Sequence, residues 1–377
     1  MNAAVIGLGF VGKAHVEALR RLPIHIAGAL GSPGRTDDAC AALGLRAYRS
    51  LEELVADPAV DVVHVCTPNH VHFPQTKAAL EGSKHVLCEK PLAMTAAEAR
   101  QLEALARAAR RVGAVAYNLR YYPLCIEARA RVQSGEIGEP KLVYGGFIQD
   151  WLLEPSDWNW RLVPELGGET RAVSDIGTHW LDLMSWITGH RVTDLCADLA
   201  TTVPIRQRPL GHVQTFQRAG EGEFEQVPIR TDDYASILLR YEGGLHGVVT
   251  VSQVSAGRKN HLWFEIAGSK ASLAWDGENP NVLWIGHRHE PNGLLIKNPA
   301  LMSPQACGFT AYPAGHAEGY PDTFVQLFKD FYAYLGRGHL DEPRPFPTFR
   351  EGSKALALCD AVLLSAKERR WVTLPNE

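Results

Sequence analysis

Residues 5–12 of the chain, Val5-Ile6-Gly7-Leu8-Gly9-Phe10-Val11-Gly12, run an apolar strand directly into a G-x-G-x-x-G loop, and Lys13-Ala14-His15-Val16-Glu17-Ala18-Leu19 then continues with helical spacing. Few local patterns constrain a fold as strongly. The first glycine permits the tight turn, the second lets backbone approach a pyrophosphate, and the third lets helix and strand pack closely. Unpaired N–H groups at the helix N-terminus suit the anion. The segment predicts a dinucleotide cradle formed by Gly7, Gly9, Phe10, Val11 and Gly12. Its bland counterpart is a glycine turn between strand and helix.

A chain of 377 residues exceeds one ordinary domain, and 46% apolar content supplies two cores. A net charge of −4 offers no basic field for nucleic acid or anionic lipid. The seven cysteines include no C-x-x-C pair, the chain opens in a core strand without a charged-then-apolar leader, and no apolar run reaches about 18 residues. A cytoplasmic protein with reduced thiols is expected.

Strand and helix patterns alternate through residue 120. Strands are expected over 24–30, 60–66, 85–88 and 115–117, and helical segments over 37–43, 51–56, 75–80 and 95–111, the last capped by Thr95. Such alternation implies right-handed crossovers and a doubly wound parallel sheet with ligands at its carboxyl edge. Gly12, Ser32, Thr67, Glu89 and Asn118 all fall just beyond predicted strand ends and are expected around one crevice.

Cofactor choice turns on the end of the second strand. A carboxylate there would bond the ribose 2′-OH of NAD, but Gly31 and Ser32 stand in its place with Arg35 close by and Asp37 late. A hydroxyl and a guanidinium suit a 2′-phosphate, so NADP is mildly favoured over NAD. If Ser32 is only a helix cap and Arg35 only solvated, NAD still binds through backbone groups.

Two clusters have catalytic chemistry. Glu89-Lys90-Pro91 follows a strand directly, and a lysine there can bond a substrate hydroxyl and pass a proton. Taken alone, Lys90 reads equally as an ion pair with Glu89. The second cluster is Ser174-Asp175-Ile176-Gly177-Thr178-His179, where Ser174 or Asp175 is expected to cap a helix and Asp175 and His179 share a face at i, i+4. That spacing suits a base and its orienting partner, or a buried histidine beside a cap. No third ligand accompanies the pair, so no metal is expected.

Taken together, Gly7-Leu8-Gly9-Phe10-Val11-Gly12, Thr67-Pro68-Asn69 with His72, Glu89-Lys90-Pro91 and Asp175-Ile176-Gly177-Thr178-His179 resemble the Gfo/Idh/MocA oxidoreductases, the glucose–fructose oxidoreductase and inositol dehydrogenase group. The resemblance implies an N-terminal Rossmann domain over 1–120. It further implies a C-terminal α+β domain over 121–377 with a large open, mainly antiparallel sheet. Sugars and cyclitols are the usual substrates of that family. By this likeness Lys90 lies near the nicotinamide, and Asp175 and His179 line the substrate pocket. The cofactor set then becomes the glycine loop with Ser32, Arg35, Thr67, Pro68, Asn69, His72, Glu89, Lys90 and Asn118, joined by Trp160 and Arg161.

The second half shows sheet patterns of its own. Residues 141–149, 234–241, 244–252, 262–267 and 272–275 read as strands, several joined by short turns. One face of such a sheet is commonly an interface, so a homodimer or homotetramer is expected. The segment Gln149-Asp150-Trp151 through Trp158-Asn159-Trp160-Arg161 interleaves indoles with hydrogen-bonding groups, which suits a pyranose. It resembles the same stretch in levoglucosan and glycoside dehydrogenases of the family. The alternative is that these tryptophans seal a domain boundary. His316 and Tyr320, before a helix through 334, complete the expected substrate set.

The reading is an NAD(P)-dependent dehydrogenase moving hydride between a secondary alcohol and nicotinamide, with His179 as base, Lys90 as proton relay and Asp175 orienting the ring. Two other classes compete. One is a glycoside-cleaving enzyme using transient oxidation; the other is a noncatalytic nucleotide sensor.

Overall fold

In the computed structural model, residues 1–32, 34–210, 223–338 and 342–375 are described. They divide into two compact units: Met1–Asn118 with Glu165–Gly168 and Pro321–Leu356, and Leu119–Pro164 with Glu169–Tyr320 and Ala357–Glu377. The first unit is thus discontinuous along the chain.

Its alternating elements are β1 (Asn2–Ile6), α1 (Phe10–Arg20), β2 (His25–Leu30), α2 (Thr36–Ala42), α3 (Leu51–Ala56), β3 (Val62–Val65), α4 (His72–Glu81), β4 (His85–Cys88), α5 (Ala96–Ala108) and β5 (Gly113–Val115). Among the described residues the strands form a parallel sheet in the order β2-β1-β3-β4-β5. An isolated parallel bridge, Ala29 to Ala47, extends it beyond β2. Counting that bridge as a vestigial strand, the order becomes the 3-2-1-4-5-6 run of a Rossmann sheet. The strands are wholly buried where it matters: Ala3, Ala4, Val5, Val62, Val63 and Val86 have no exposed surface. Thr95 caps α5 as expected, in a capping box with Glu98.

The second unit contains α6 (Pro123–Gln133), β6 (Pro140–Ile148), α8 (Thr178–Thr188), β7 (Val192–Ala200), β8 (Ile205–Pro209), β9 (Phe224–Pro228), β10 (Tyr234–Tyr241), β11 (His246–Ser252), β12 (His261–Gly268), β13 (Ala271–Asp276), β14 (Val282–His287), β15 (Gly293–Ile296), α9 (Pro304–Cys307) and β16 (Val372–Thr373); α7 (Pro164–Gly167), between β6 and α8 along the chain, is counted with the first unit from Glu165 on. Its main sheet runs β15-β14-β13-β12-β6-β11-β10-β7-β16, antiparallel except where β6 meets β11. Period-2 alternation sorts its faces. Ile237, Val249, Gly145, Phe264, Trp275, Leu283 and Leu295 stand in register across one face, and the apolar side chains among them are buried.

Gly145 determines how α8 lies on that face. A Cβ there would stand 2.2 Å from the Trp263 carbonyl oxygen and 2.6 Å from Trp180 Nε1. With glycine, the Trp180 indole donates to that carbonyl at 2.9 Å and is fully buried. Two later helices, α10 (Tyr320–Arg337) and α11 (Phe349–Glu368), follow. Phe324, Phe328 and Phe331 of α10 are buried, as its amphipathic spacing requires. All seven cysteines, which lie among the described residues, are free thiols, and among those residues no helix is long and apolar enough to cross a membrane.

Two histidines make the first unit acid-sensitive. Burial, aided by Arg111, pushes His85 down to about 4, and its Nδ1 accepts the Val112 N–H at 2.9 Å, which requires the neutral ring. Burial beside His15 holds His64 well below its usual value. A histidine lowered on folding stabilises above the unfolded value near 6.5, and that contribution drains away as pH falls toward the folded value. The melting temperature is therefore expected to fall as pH is taken from 7 to 5, and His85→Gln to flatten that slope. A slope unchanged in the variant, followed by circular dichroism, would contradict the assignment.

Candidate functional site

Because β1 to β5 are parallel, their carboxyl ends share one edge, and the loops after them gather there. Ile6 pairs with Leu30 and Val65, Val65 with Cys88, and Cys88 with Val115. The glycine loop, Ser32, Thr67, Glu89 and Asn118 therefore stand at one rim. Gly7 has φ +88°, and a Cβ on it would approach the Cys66 carbonyl oxygen to 2.6 Å. Gly12 is tighter still, with a Cβ position 1.8 Å from the Gly7 carbonyl oxygen. Gly9, the N-cap of α1, has nothing within 4 Å of its Cβ position. The loop thus closes on itself below and leaves open space above Gly9, beside the N–H groups of the first turn. That form fits a dinucleotide pyrophosphate. Phe10 is half exposed on the same turn.

Next to it, His72 ties two rim loops together. Its Nε2 lies 2.7 Å from the Thr67 carbonyl and its Nδ1 2.7 Å from the Pro91 carbonyl, with the ring 1% exposed. Burial pushes the His72 pKa down, while the two carbonyls and the Glu89 carboxylate oppose it. His72 therefore shapes the Thr67-Pro68-Asn69 and Glu89-Lys90-Pro91 loops from beneath. Asn69 Nδ2 donates to the Gly167 carbonyl at 2.8 Å, and Asn118 Nδ2 to Thr323 Oγ1 at 2.7 Å. Thr67 Oγ1 donates to Gln75 Oε1 at 2.6 Å. Glu89 is buried and lies 3.0 Å from His15 Nε2. Lys90, half-buried, follows it with a cis bond to Pro91.

Ser32 and Arg35 are exposed after β2. Arg35, not Ser32, is the N-cap of α2, and it makes no side-chain capping bond. The Ser32 carbonyl accepts from the Arg35 N–H and from Thr36 Oγ1. Asp37 and Asp38 occupy the first turn of α2 and answer the helix dipole.

In the second unit the expected cap at Ser174 or Asp175 is replaced by a π-turn. Val173–Gly177 forms it, continuous with α8, and Ser174 Oγ donates back to the Thr170 carbonyl at 2.6 Å. Such turns widen the helix and are common where side chains are aimed at a site. Asp175 consequently sits inside the helical run. Its Oδ1 accepts from Arg161 Nε at 3.0 Å and its Oδ2 from Gln253 Nε2 at 2.8 Å. Asn159 Oδ1 in turn accepts from Arg161 NH1 at 3.2 Å, and the Arg161 guanidinium lies 4.4 Å over the Trp160 ring. His179 is in the first turn of α8, 8% exposed, with its ring 6.3 Å from Phe147.

Behind Asp175 lies a buried polar network that sequence reasoning missed. Gln253 Oε1 accepts from Arg171 NH1 at 3.1 Å; Arg171 pairs with Asp233, and Asp233 also holds Arg206 at 3.0 Å. All three charged groups are essentially unexposed. Arg206 also donates to the Leu152 and Glu154 carbonyls. Asp232 accepts the N–H groups of Arg171 and Val173, although burial raises its pKa to about 6. The only sequence signal was isolated charge, Arg171 and the Asp232-Asp233 pair, beside apolar runs.

Of the expected sugar-binding segment, Gln149 has both amide ends engaged, accepting from Trp151 Nε1 and donating to Asn260 Oδ1. Asp150 is paired with Lys259 at 2.6 Å. Trp151 and Trp158 pack against a small core of Leu152, Leu162 and Ile229. His316 is exposed, with Nδ1 3.2 Å from the Ala314 carbonyl, and Tyr320 is half-buried at the start of α10. His261, Asp276 and Glu278 bring ligand-type atoms within 4.8 Å of one another. Glu278 there accepts from Arg258 and from the Lys259 N–H, which is loop ion pairing.

Residues 1–117 match the family described as oxidoreductase family, NAD-binding Rossmann fold, and residues 125–274 match the GFO/IDH/MocA C-terminal domain. The levoglucosan dehydrogenase of Pseudarthrobacter phenanthrenivorans is 29% identical, over 100% of this chain and 98% of its own. A solved structure of levoglucosan dehydrogenase with NADH and L-sorbose superposes with a TM-score of 0.89 at 27% identity, covering 100% and 99% of the two chains. An oxidoreductase domain protein from Kribbella flavida gives 0.87 at 32% identity, covering 99% of each. An inositol dehydrogenase homologue from Azotobacter vinelandii complexed with NAD+ gives 0.86 at 29%, covering 99% and 97%.

The glycine geometry separates two substitutions. Gly9→Ala is expected to fold with an unchanged melting temperature but bind nucleotide weakly, because its methyl enters the open cradle. Gly12→Ala is expected to destabilise by about 1–3 kcal/mol, because its methyl meets backbone. Equal melting temperatures for the two variants would contradict this.

Proposed function

The chain belongs to the Gfo/Idh/MocA oxidoreductase family, and we propose that its reaction is reversible hydride transfer between a secondary alcohol of a sugar, glycoside or cyclitol and a nicotinamide. It is an NAD(P)-dependent dehydrogenase of CH–OH donors. The observation that supports the proposed chemistry is the Asp175 carboxylate, held from both sides by Arg161 and Gln253 one turn before His179.

The bound nicotinamide supplies the hydride-accepting carbon. The residues of this chain manage the remaining proton and the orientation of the alcohol. His179 acts as general acid/base toward the hydroxyl, Lys90 bonds the hydroxyl oxygen and relays the proton, and Asp175 orients the pair. Fixing Asp175 through both oxygens limits the rotamers it can reach, which is how a positioned group gains over a mobile one. The glycine loop, Thr67, Pro68, Asn69 and Asn118 frame the nucleotide, with His72 and Glu89 shaping the loops from below and Trp160 and Arg161 from the second unit. The polar edges of Gln149, Asp150 and Trp151, with His316 and Tyr320, are proposed to meet the substrate hydroxyls.

For the nucleotide, exposed Ser32 and Arg35 without a carboxylate at the β2 end support NADP over NAD. The sheet of the second unit supports self-association. Leu238, Val248 and Tyr144 stand in register on its outer face, with Leu238 50% and Val248 37% exposed; Leu142 is exposed next to them on β6, and Leu294 and Ile296 are exposed on the edge strand β15, four strands away. Solvent-facing apolar rows of this extent are typical of interfaces, here between copies in a homodimer or homotetramer.

Lys90→Ala and His179→Ala are each expected to lower kcat about 100-fold or more while fluorescence titration still shows nucleotide binding. Wild-type turnover in both would overturn the roles. The direct test is reduced-nucleotide absorbance with NAD and NADP against pyranoses, glycosides, anhydrosugars and inositols. Product formed without stoichiometric nucleotide reduction would favour bond cleavage by transient oxidation instead. Arg35→Ala is expected to weaken NADP more than NAD. In light scattering, Leu238→Glu with Val248→Glu is expected to reduce the oligomer to a monomer; a monomeric parent protein would refute the interface.

A further inference from the structure

The core of the first unit holds a line of polar groups that the proposed reaction does not use. Tyr332 Oη of α10 lies 2.8 Å from His64 Nε2 of β3; His64 Nδ1 lies 3.0 Å from His15 Nδ1 of α1; His15 Nε2 lies 3.0 Å from Glu89 Oε1 at the end of β4. Both histidines have no exposed surface, and Glu89 and Tyr332 are at most 7% exposed. Phe324 and Phe328 wall the line, with ring centroids 4.8–5.2 Å from the imidazoles. At its far end Glu89 Oε2 accepts the main-chain N–H of Lys90 at 3.2 Å.

Proton counting orders this line. An ionised Glu89 only accepts, so His15 Nε2 carries a hydrogen. The contact between the two Nδ1 atoms needs one hydrogen. If His15 supplied it, His15 would be an imidazolium and His64 would donate from Nε2 to Tyr332, leaving the buried hydroxyl hydrogen without an acceptor. His64 Nε2 is the hydrogen-bond partner that the described residues offer Tyr332 Oη. If His64 supplies it, every donor is used: Tyr332 O–H to His64 Nε2, His64 Nδ1–H to His15 Nδ1, and His15 Nε2–H to Glu89. Burial keeps the tyrosine protonated and His64 neutral. Bonds aligned in one direction polarise one another toward the terminal anion.

We propose that Tyr332, His64 and His15 form a one-way hydrogen-bond chain that holds Glu89 as a buried carboxylate and thereby positions Lys90 at the end of β4. The inference rests on the reading of Lys90 as a catalytic residue, and it names three positioning residues for it. The other titratable groups facing the chain are Asp61 at the Tyr332 end and Cys66, Cys88, His72 and Lys90 around Glu89. Burial pushes both thiols up, so they stay neutral and leave the carboxylate as the acceptor. A serial arrangement of this kind explains why two fully buried histidines meet at matching nitrogens between Phe324 and Phe328.

The test is nitrogen-15 NMR of histidine-labelled full-length protein. His15 is expected as the neutral Nε2–H tautomer and His64 as the neutral Nδ1–H tautomer. In Glu89→Gln the anion is gone and the amide offers both donor and acceptor, so both tautomers are expected to change or mix, and kcat to fall about 10–100-fold with nucleotide affinity within about threefold. Tyr332→Phe, which keeps the ring, is expected to leave the fold intact, shift the His64 Nε2 resonance and lower kcat more than it raises KM. An imidazolium at His15, an Nε2–H tautomer at His64, or a kcat unchanged in both variants would overturn the proposal. Because tautomers are read without turnover, failure of the dehydrogenase reading would show separately, as wild-type tautomers in a protein indifferent to Lys90→Ala.

Discussion

Gly12 has no room for a side chain, and much of the first unit depends on that. With its Cβ position 1.8 Å from the Gly7 carbonyl oxygen, the first turn of α1 is pressed onto the end of β1. One consequence is the open space above Gly9. Another lies inward: the same close approach carries His15, three residues on, into the core at hydrogen-bond distance from Glu89. A single steric allowance thus shapes the anion cradle and joins it mechanically to the loop bearing Lys90. His72, bridging Thr67 and Pro91, joins that loop to the next. The rim is held by backbone and buried side chains rather than by the flexible groups expected to touch ligand.

The second unit solves a similar problem with charge. Removing Arg171, Asp233 and Arg206 from water is costly, and pairing recovers that cost only when nearly every donor and acceptor is used. Here Asp233 is met by both guanidiniums and also by the Val203 N–H, and Gln253 connects the triad to Asp175. A hydrophobic replacement would bury the same volume but would leave Gln253, one of the two partners of Asp175, without the Arg171 bond that holds its amide. The network therefore makes physical sense as orientation, the property a proton-handling site requires.

Elements were readable in the sequence wherever one period and one capping residue agreed. The five parallel strands, Thr95 at the start of α5, and the hairpin of β10 and β11 across Glu242-Gly243 all have short-range signatures that tertiary contacts reinforce. The expected cap at Ser174 or Asp175 failed because a π-turn has no composition signal; at its end, a Cβ on Gly177 would stand 3.3 Å from Val251 Cγ1. Strands β7 to β9 and β14 to β16 escaped notice; of these β15 and β16 are the edges of the large sheet, where pairing on one side only gives the weakest pattern. The tryptophans of the linking segment illustrate a third case. Indoles interleaved with polar groups suit a sugar, yet Trp151 and Trp158 also serve a local core, and composition does not apportion them.

By itself the sequence determined the Rossmann order, the glycine cradle and the residue types of the expected site, because these follow from backbone sterics and from spacings of a few residues. Only the tertiary structure decided which groups stand behind them. His15, His64 and Tyr332 come from positions 15, 64 and 332, and Gln253 meets Asp175 across 78 residues. No local pattern encodes such pairings: a buried polar group is tolerated wherever the fold supplies its partner, and that partner exists only once distant segments have packed.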